Sequence, residues 1–237
     1  MSRPTFQQGS SARSYIVTGS GVLPVLNQYT NAVELFIRGF SATEPFCLNK
    51  YSQLTNLVFD ENLITINDSL ILGTNVKTFT IPRNVKSLID NPFDVGPEMV
   101  NIFVHPENRY FCDINGVLYS KDRKTLVYWP GNHGETEVVV PNFVEKLEDG
   151  AFAASSIITF IVIPSSVQRI GFQLFQMPAV QSILILNKNL PSFNITLDSS
   201  KSRSILHFMP LSDCSKCKDR RIFYSEFHIF SCLIILQ

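Results

Sequence analysis

The chain of 237 residues is short of charge: only 17% of it is Asp, Glu, Lys or Arg, and 20 basic side chains are cancelled by 20 acidic ones. Without a net field, the long-range attraction used by nucleic-acid binders and binders of anionic membranes is missing, so no nucleic acid is expected as partner. Cysteine is scarce as well, five residues in all, and Cys47 and Cys112 stand far from Cys214, Cys217 and Cys232. An odd, scattered set does not make a paired extracellular framework. Long hydrophobic runs are missing too. The longest apolar stretch, 227–236, is broken by His228, Ser231 and Cys232 and falls short of the roughly 20 residues a spanning helix needs, so no transmembrane segment is expected. Residues 1–13 are rich in Ser and Gln and lack the apolar core of a secretory signal.

Catalytic signatures are also lacking. There is no phosphate-cradling glycine loop, no nucleophile elbow and no paired-carboxylate motif. His105 and His133 could be drawn into a triad on paper, but without those companions they read as surface histidines, and the acidic run Glu145, Glu148 and Asp149 as a solvated turn. No catalytic residue, no cofactor and no enzymatic activity are expected. One metal-like constellation remains, Cys214-x-x-Cys217 followed by His228 and Cys232. Its spacing could offer zinc four N/S ligands, although the intervening residues do not resemble a known finger. Two sequons, at Asn67 and Asn194, would accept glycans in a secreted chain.

What the chain does contain is apolar residues, 45% of it with 19 Phe, in a repeating pattern. An apolar-x-x-apolar-x-apolar signature has its third position at Ile37, Phe59, Ile81, Val104, Val140, Ile163 and Ile185, at intervals of 22, 22, 23, 36, 23 and 22. A nearly fixed period of this length means a solenoid, in which each coil stacks on the one before it. Within a coil, residues such as Thr78-Phe79-Thr80-Ile81 alternate as a half-buried strand does. Pro82, Pro141 and Pro164 then end the strand, because proline has no amide to donate and fixes its own backbone angle. Three, six and eleven residues beyond come Val85, Leu88 and Phe93; Val144, Leu147 and Phe152; and Val167, Ile170 and Phe175. An earlier copy, centred on Asp60 in place of proline, supplies Leu63, Ile66 and Ile71. A β-sandwich also repeats short strands, but it has no reason to hold a proline and three later columns in phase.

Residues 157–175, IITFIVIPSSVQRIGFQLF, and 138–152, VVVPNFVEKLEDGAF, resemble the leucine-rich repeats of BspA-like surface antigens of bacteria and parasitic protozoa. That pattern runs strand, Ile-Pro, Ser-Ser-Val, then Ile and Ala-Phe. The long 36-residue interval is similar to the hairpin insertion common in such arrays, and Asn115-Gly116 between apolar runs is a turn signal in its own right. The resemblance spans about 32–190. It implies a β-rich leucine-rich repeat solenoid with a parallel sheet and a hairpin at about 113–130, acting as a cell-surface or secreted protein-interaction module that adheres to host or matrix protein.

The expected organisation is an irregular lead or cap over 1–31, the solenoid over 32–198 and an out-of-phase tail over 199–237. Stacking would align the outward residues of the strands into rows. The row nearest the strand end holds Phe36, Val58, Thr80, Phe103, Val139, Val162 and Leu184, and the neighbouring row is mostly polar apart from Phe160. An exposed apolar stripe with a polar rim marks an interaction surface, so these eight residues are the candidate contacts for a protein ligand. The alternative is a structural or degenerate fragment of a larger repeat protein without activity of its own.

Overall fold

A computed structural model of the chain describes residues 3–90, 92–93, 98–171 and 179–187, with the backbone of 205–208. It is a parallel β-solenoid of about seven turns, with no helix among the described residues. The strands are β1 Thr5–Gln8, β2 Ser14–Leu23, β3 Glu34–Thr43, β4 Asn56–Phe59, β5 Thr65–Ile66, β6 Thr78–Ile81, β7 Ser87–Leu88 and β8 Asn101–Val104. After them come β9 Phe111–Ile114, β10 Val117–Ser120, β11 Thr125–Tyr128, β12 Glu137–Val139, β13 Lys146–Leu147, β14 Phe160–Ile163, β15 Arg169–Ile170, β16 Ser182–Ile185 and β17 Ile205–Phe208.

Each coil gives one strand to a main ladder and a shorter one to a second ladder behind it. In the main ladder the parallel register pairs Glu34 with Asn56, Thr78 with Asn101, Glu137 with Phe160 and Phe160 with Ser182, one repeat apart each time. In the second, β5 and β7 continue from the far half of β3, while β13 and β15 continue from β11. Between the ladders the chain turns a corner. Val85 N donates to Pro82 O at 3.3 Å, Val144 N to Pro141 O at 3.0 Å and Val167 N to Pro164 O at 3.2 Å. The prolines sit at the strand ends because they withhold a bond: Asp60 N donates to Ile37 O at 3.0 Å, and Pro82 has no hydrogen with which to do the same one coil later.

The repeating columns form the interior. All seven third-position residues are buried, as are Leu35, Leu57, Phe79, Ile102, Val138, Ile161 and Ile183 two residues before them. Behind the corners, Leu63, Val85, Val144 and Val167 are fully buried, and Phe93 and Phe152 fill the back of their coils. Phe175 lies outside the described residues. Burial pushes the Cys47 thiol from 9.0 to about 12 and the Tyr119 phenol from 10.0 to about 12, and it raises the Tyr51 phenol as well. The folded chain therefore holds these protons more tightly than the unfolded chain, so stability is complete below about pH 9 and falls as pH rises toward about 12. Urea midpoints taken at increasing alkaline pH should drop accordingly. A constant midpoint would mean that these groups are solvated.

Four features differ from the sequence reading. The lead is not irregular: β1 and β2 form an antiparallel hairpin, and β2 pairs in parallel with β3 from Ser14↔Glu34 to Leu23↔Thr43, so it is the first coil. The fifth copy of the signature carries Glu135 where an apolar residue stands in the others, and this carboxylate is exposed. The tail regains the period, since β17 pairs with β16 as Ser182↔Ile205, 23 residues on (205 − 182). Finally, the main ladder is cut twice, between β4 and β6, which do not pair, and between β8 and β12.

The insertion makes the second cut. Strand β10 runs antiparallel to β9 on one side and to β11 on the other, and β11 then pairs in parallel with β13, so it doubles as the second-ladder strand of its coil. Asn115 and Gly116 turn β9 into β10 with φ of 52° and 82°, the left-handed pair of a tight hairpin turn. A Cβ at Gly116 would strike the Asn101 side chain. The turn lies that close because it caps β8: Gly116 O accepts Ile102 N at 2.8 Å, and Asp113 Oδ1 accepts Val104 N at 2.8 Å. These take the bonds that a following strand would have made. Strand β10 is buried on both sides, Leu118 joining a core with the first coils while Val117 and Tyr119 join a second core with the later ones.

Candidate functional site

The parallel register joins the predicted row two by two: Phe36 pairs with Val58, Thr80 with Phe103, and Val139 with Val162. Neighbouring strands lie about 4.8 Å apart, so each pair of outward side chains is in van der Waals reach. Val58 and Phe103 are each 44% exposed and Val139 58%. Thr80 is also exposed, while Phe36 and Val162 are half-buried, as is Phe160 in the neighbouring row. The rim is polar, with Asn56, Thr78 and Glu137 exposed. Asn56 Nδ2 donates to Glu34 Oε1 at 3.4 Å, so rim groups bond to one another and not over the apolar row.

Two corrections apply. Leu184 pairs with Val162 in register but is 1% exposed, so it belongs to the interior and not to the open row. The row is also not one stripe, because β4 and β6 do not pair and the turn that caps β8 falls between Phe103 and Val139, which leaves three segments, Phe36 with Val58, Thr80 with Phe103, and Val139 with Val162. The first gains a residue the sequence reading left out: Ile16 pairs with Phe36 and is half-buried. Its signal was the β-branched, aromatic run Tyr15-Ile16-Val17, one repeat before Leu35-Phe36-Ile37.

The histidines are held by main chain, and His133 differs from the surface position expected of it, its side chain being only 8% exposed. His105 Nδ1 accepts Glu107 N at 3.2 Å. The His133 ring bonds Val100 O through Nδ1 at 2.8 Å, so Nδ1 is the protonated nitrogen, and Nε2 stands 3.6 Å from Glu135 Oε2. With Asn132 N donating to Met99 O at 2.8 Å, His133 joins the coils on either side of the second cut. Among the acidic run, Glu145 pairs with Lys124 at 2.9 Å and Glu148 with Lys146 at 2.7 Å. Cys214, Cys217, His228 and Cys232 lie outside the described residues, as do Asn194 and the tail from 209 on. Asn67 is committed to the fold, its Nδ2 donating to Thr43 O and its N–H to Thr43 Oγ1 at 2.9 Å. No helix among the described residues is long and apolar enough to cross a membrane.

Six copies of the BspA type leucine-rich repeat region match residues 28–96 and 132–206, and the unmatched interval between them contains the insertion. Among solved structures, the chain is similar to the pneumococcal vaccine antigen PcpA, with a TM-score of 0.51 and 20% identity over 69% of this chain and 53% of that one. It is also similar to a leucine-rich cell surface protein from Faecalibacterium prausnitzii A2-165, with a TM-score of 0.50 and 14% identity over 76% and 74% of the two chains. These likenesses concern the fold. The chain spans about half the length of the PcpA structure, 53% of it. No curated protein matches the chain.

Proposed function

The chain belongs to the BspA-type leucine-rich repeat family, and from that premise we propose that it is a protein-interaction module that binds a protein ligand through the outward face of its main sheet. The observation that carries this reading is the exposure of Val58, Phe103 and Val139 at outward positions of main-ladder strands whose inward residues are almost all buried. Leaving such side chains half exposed forgoes part of the about 1.5–3 kcal/mol that full burial of each contributes. A partner that covers the patch recovers it. Val139 and Val162, paired in register, form one centre of the contact and Phe103 with Thr80 another across the turn between them, with Phe36, Val58 and Phe160 around them. The cell surface or the extracellular medium is the proposed place of action, in line with the cell-surface protein of the same fold, and adhesion to host or matrix protein the proposed role.

The test is binding of the purified chain to a panel of immobilised matrix and serum proteins, repeated with Phe103→Asp and Val139→Asp. Saturable binding to a panel member should weaken about 30-fold or more in either variant, since burying an unpaired carboxylate at a contact centre removes at least about 2 kcal/mol. Circular dichroism should be unchanged. Binding that survives both substitutions would place the ligand elsewhere, and unfolding of both would return these residues to the core.

A further inference from the structure

The corners between the two ladders stack on one another as the strands do. At the third, fourth and fifth corners they leave an open trough, away from the outward row of the main sheet, walled by Glu61 and Asn62, by Arg83, Asn84 and Lys86, and by Glu107 and Arg109. Only Ile64 and the ring of Tyr110 interrupt this polar lining. Tyr110 is 50% exposed, whereas Tyr15, Tyr51, Tyr119 and Tyr128 are buried.

The ring stands on a rigid base. Tyr110 N donates to Asn108 Oδ1 at 2.8 Å, and Tyr110 O accepts Lys121 N at 2.8 Å. Asn108, 1% exposed, is itself tied to the preceding coil through Pro82 O at 2.8 Å and Val85 O at 2.9 Å. An aromatic group fixed in this way loses little freedom when a ligand settles on it. The surrounding groups are planar and polar. Asn84 Nδ2 donates to Glu61 O at 2.8 Å and Asn62 Nδ2 to Asp60 Oδ2 at 2.7 Å, bonds that fix each amide plane and leave it an oxygen to accept and a second hydrogen to donate. Arg83 is paired with Glu107 at 2.9 Å, while Lys86 and Arg109 have no ion-pair partner among the described residues.

A mostly apolar ligand needs a mostly apolar pocket, and this trough is the reverse. The ligand that fits is polar around its whole edge, has one flat apolar face for the ring, and carries negative charge for the two unpaired cations. We propose that the trough binds a carboxylated saccharide of the uronic-acid class, its C–H face on Tyr110, its hydroxyls on the amides and Glu61, and its carboxylate at Lys86 and Arg109.

Calorimetric titration of the whole chain with trigalacturonate, with neutral galactotriose and with triglutamate tests this. Trigalacturonate should bind saturably, galactotriose more weakly and triglutamate not at all. Tyr110→Ala should lower affinity for both sugars about ten-fold, and Lys86→Gln with Arg109→Gln should erase the preference for the charged sugar. All three sites are exposed, so circular dichroism should not change. Phe103→Asp, which disables the proposed protein contact, should leave sugar binding as it was, so the two proposals stand or fall apart. Absence of saturable trigalacturonate binding would overturn the assignment. So would triglutamate binding of equal strength, indifference to Tyr110→Ala, a charge preference that survives loss of both cations, or loss of sugar binding in Phe103→Asp.

Discussion

Truncating Phe152 to alanine is expected to lower the unfolding free energy by about 3–5 kcal/mol, the usual range for removing a fully buried aromatic ring from a core. Phe152 is 0% exposed, and its ring lies 5.5 Å from that of Trp129 in the second core. Neither neighbouring coil can move in to fill the space without breaking the ladder bonds that hold their spacing. The measurement is a urea titration, with the midpoint falling and the slope unchanged. A loss near zero would remove the returning phenylalanines from the core and with them the stacked-coil account. Phe93, 1% exposed and 5.4 Å from Tyr128, plays the same part in the first core. Because the two rings belong to separate clusters, the losses from Phe93→Ala and Phe152→Ala should add to within about 0.5 kcal/mol.

The second large effect belongs to Asn108. Counting three residues from each corner gives Leu63, Val85, Asn108, Val144 and Val167, so an amide occupies a column that is otherwise aliphatic and buried. Its nitrogen donates to Pro82 O and Val85 O, and its oxygen accepts Tyr110 N at 2.8 Å and Phe111 N at 2.9 Å. Those last two amides have left the regular coil to begin the hairpin and have no ladder partner there. Asn108→Leu keeps the branched shape and removes all four bonds, leaving buried donors and acceptors unpaired at about 1–3 kcal/mol for each group that water cannot reach. The expected loss is about 2–5 kcal/mol by urea titration, with increased amide exchange at Tyr110 and Phe111. Val85→Leu, a change of size without polar consequence, should lose much less. Equal losses would mean that the site responds to packing alone.

The period and the columns were legible because burial repeats every coil, and a residue that must face inward leaves the same trace each time. Proline at 82, 141 and 164 was legible for a related reason, its missing amide being a property of the residue itself. The first coil was hidden because the bend at Gly21, φ 80°, and the exposed Ser20 and Gly21 blur its alternation. The last strand was hidden because Arg203 stands where the signature expects its first apolar residue, although Leu206 and Phe208 keep the later two places. In the insertion, the unbroken run Val117-Leu118-Tyr119 was a sign of burial on both faces. Alternation sets which side of a strand a residue takes, but not what lies on each side, so the two cores could not be told apart from the pattern.

Of the candidate site, the alignment of Phe36 with Val58 and of Thr80 with Phe103 followed from the period alone. The burial of Leu184 did not, since it depends on what covers that end of the sheet and not on which way the strand turns its side chains. Nor could the gap between Phe103 and Val139 be read from spacing. It follows from where the turn at Asn115 and Gly116 comes to rest.

That resting place also governs how the molecule would bear a load. A spring wound from one continuous ladder transmits tension from end to end and lets go at its weakest rung. Here Gly116 and Asp113 close off β8, so traction along the axis crosses from one half to the other through the hairpin wall and the His133 clasp, and the molecule is built to yield as two separate springs.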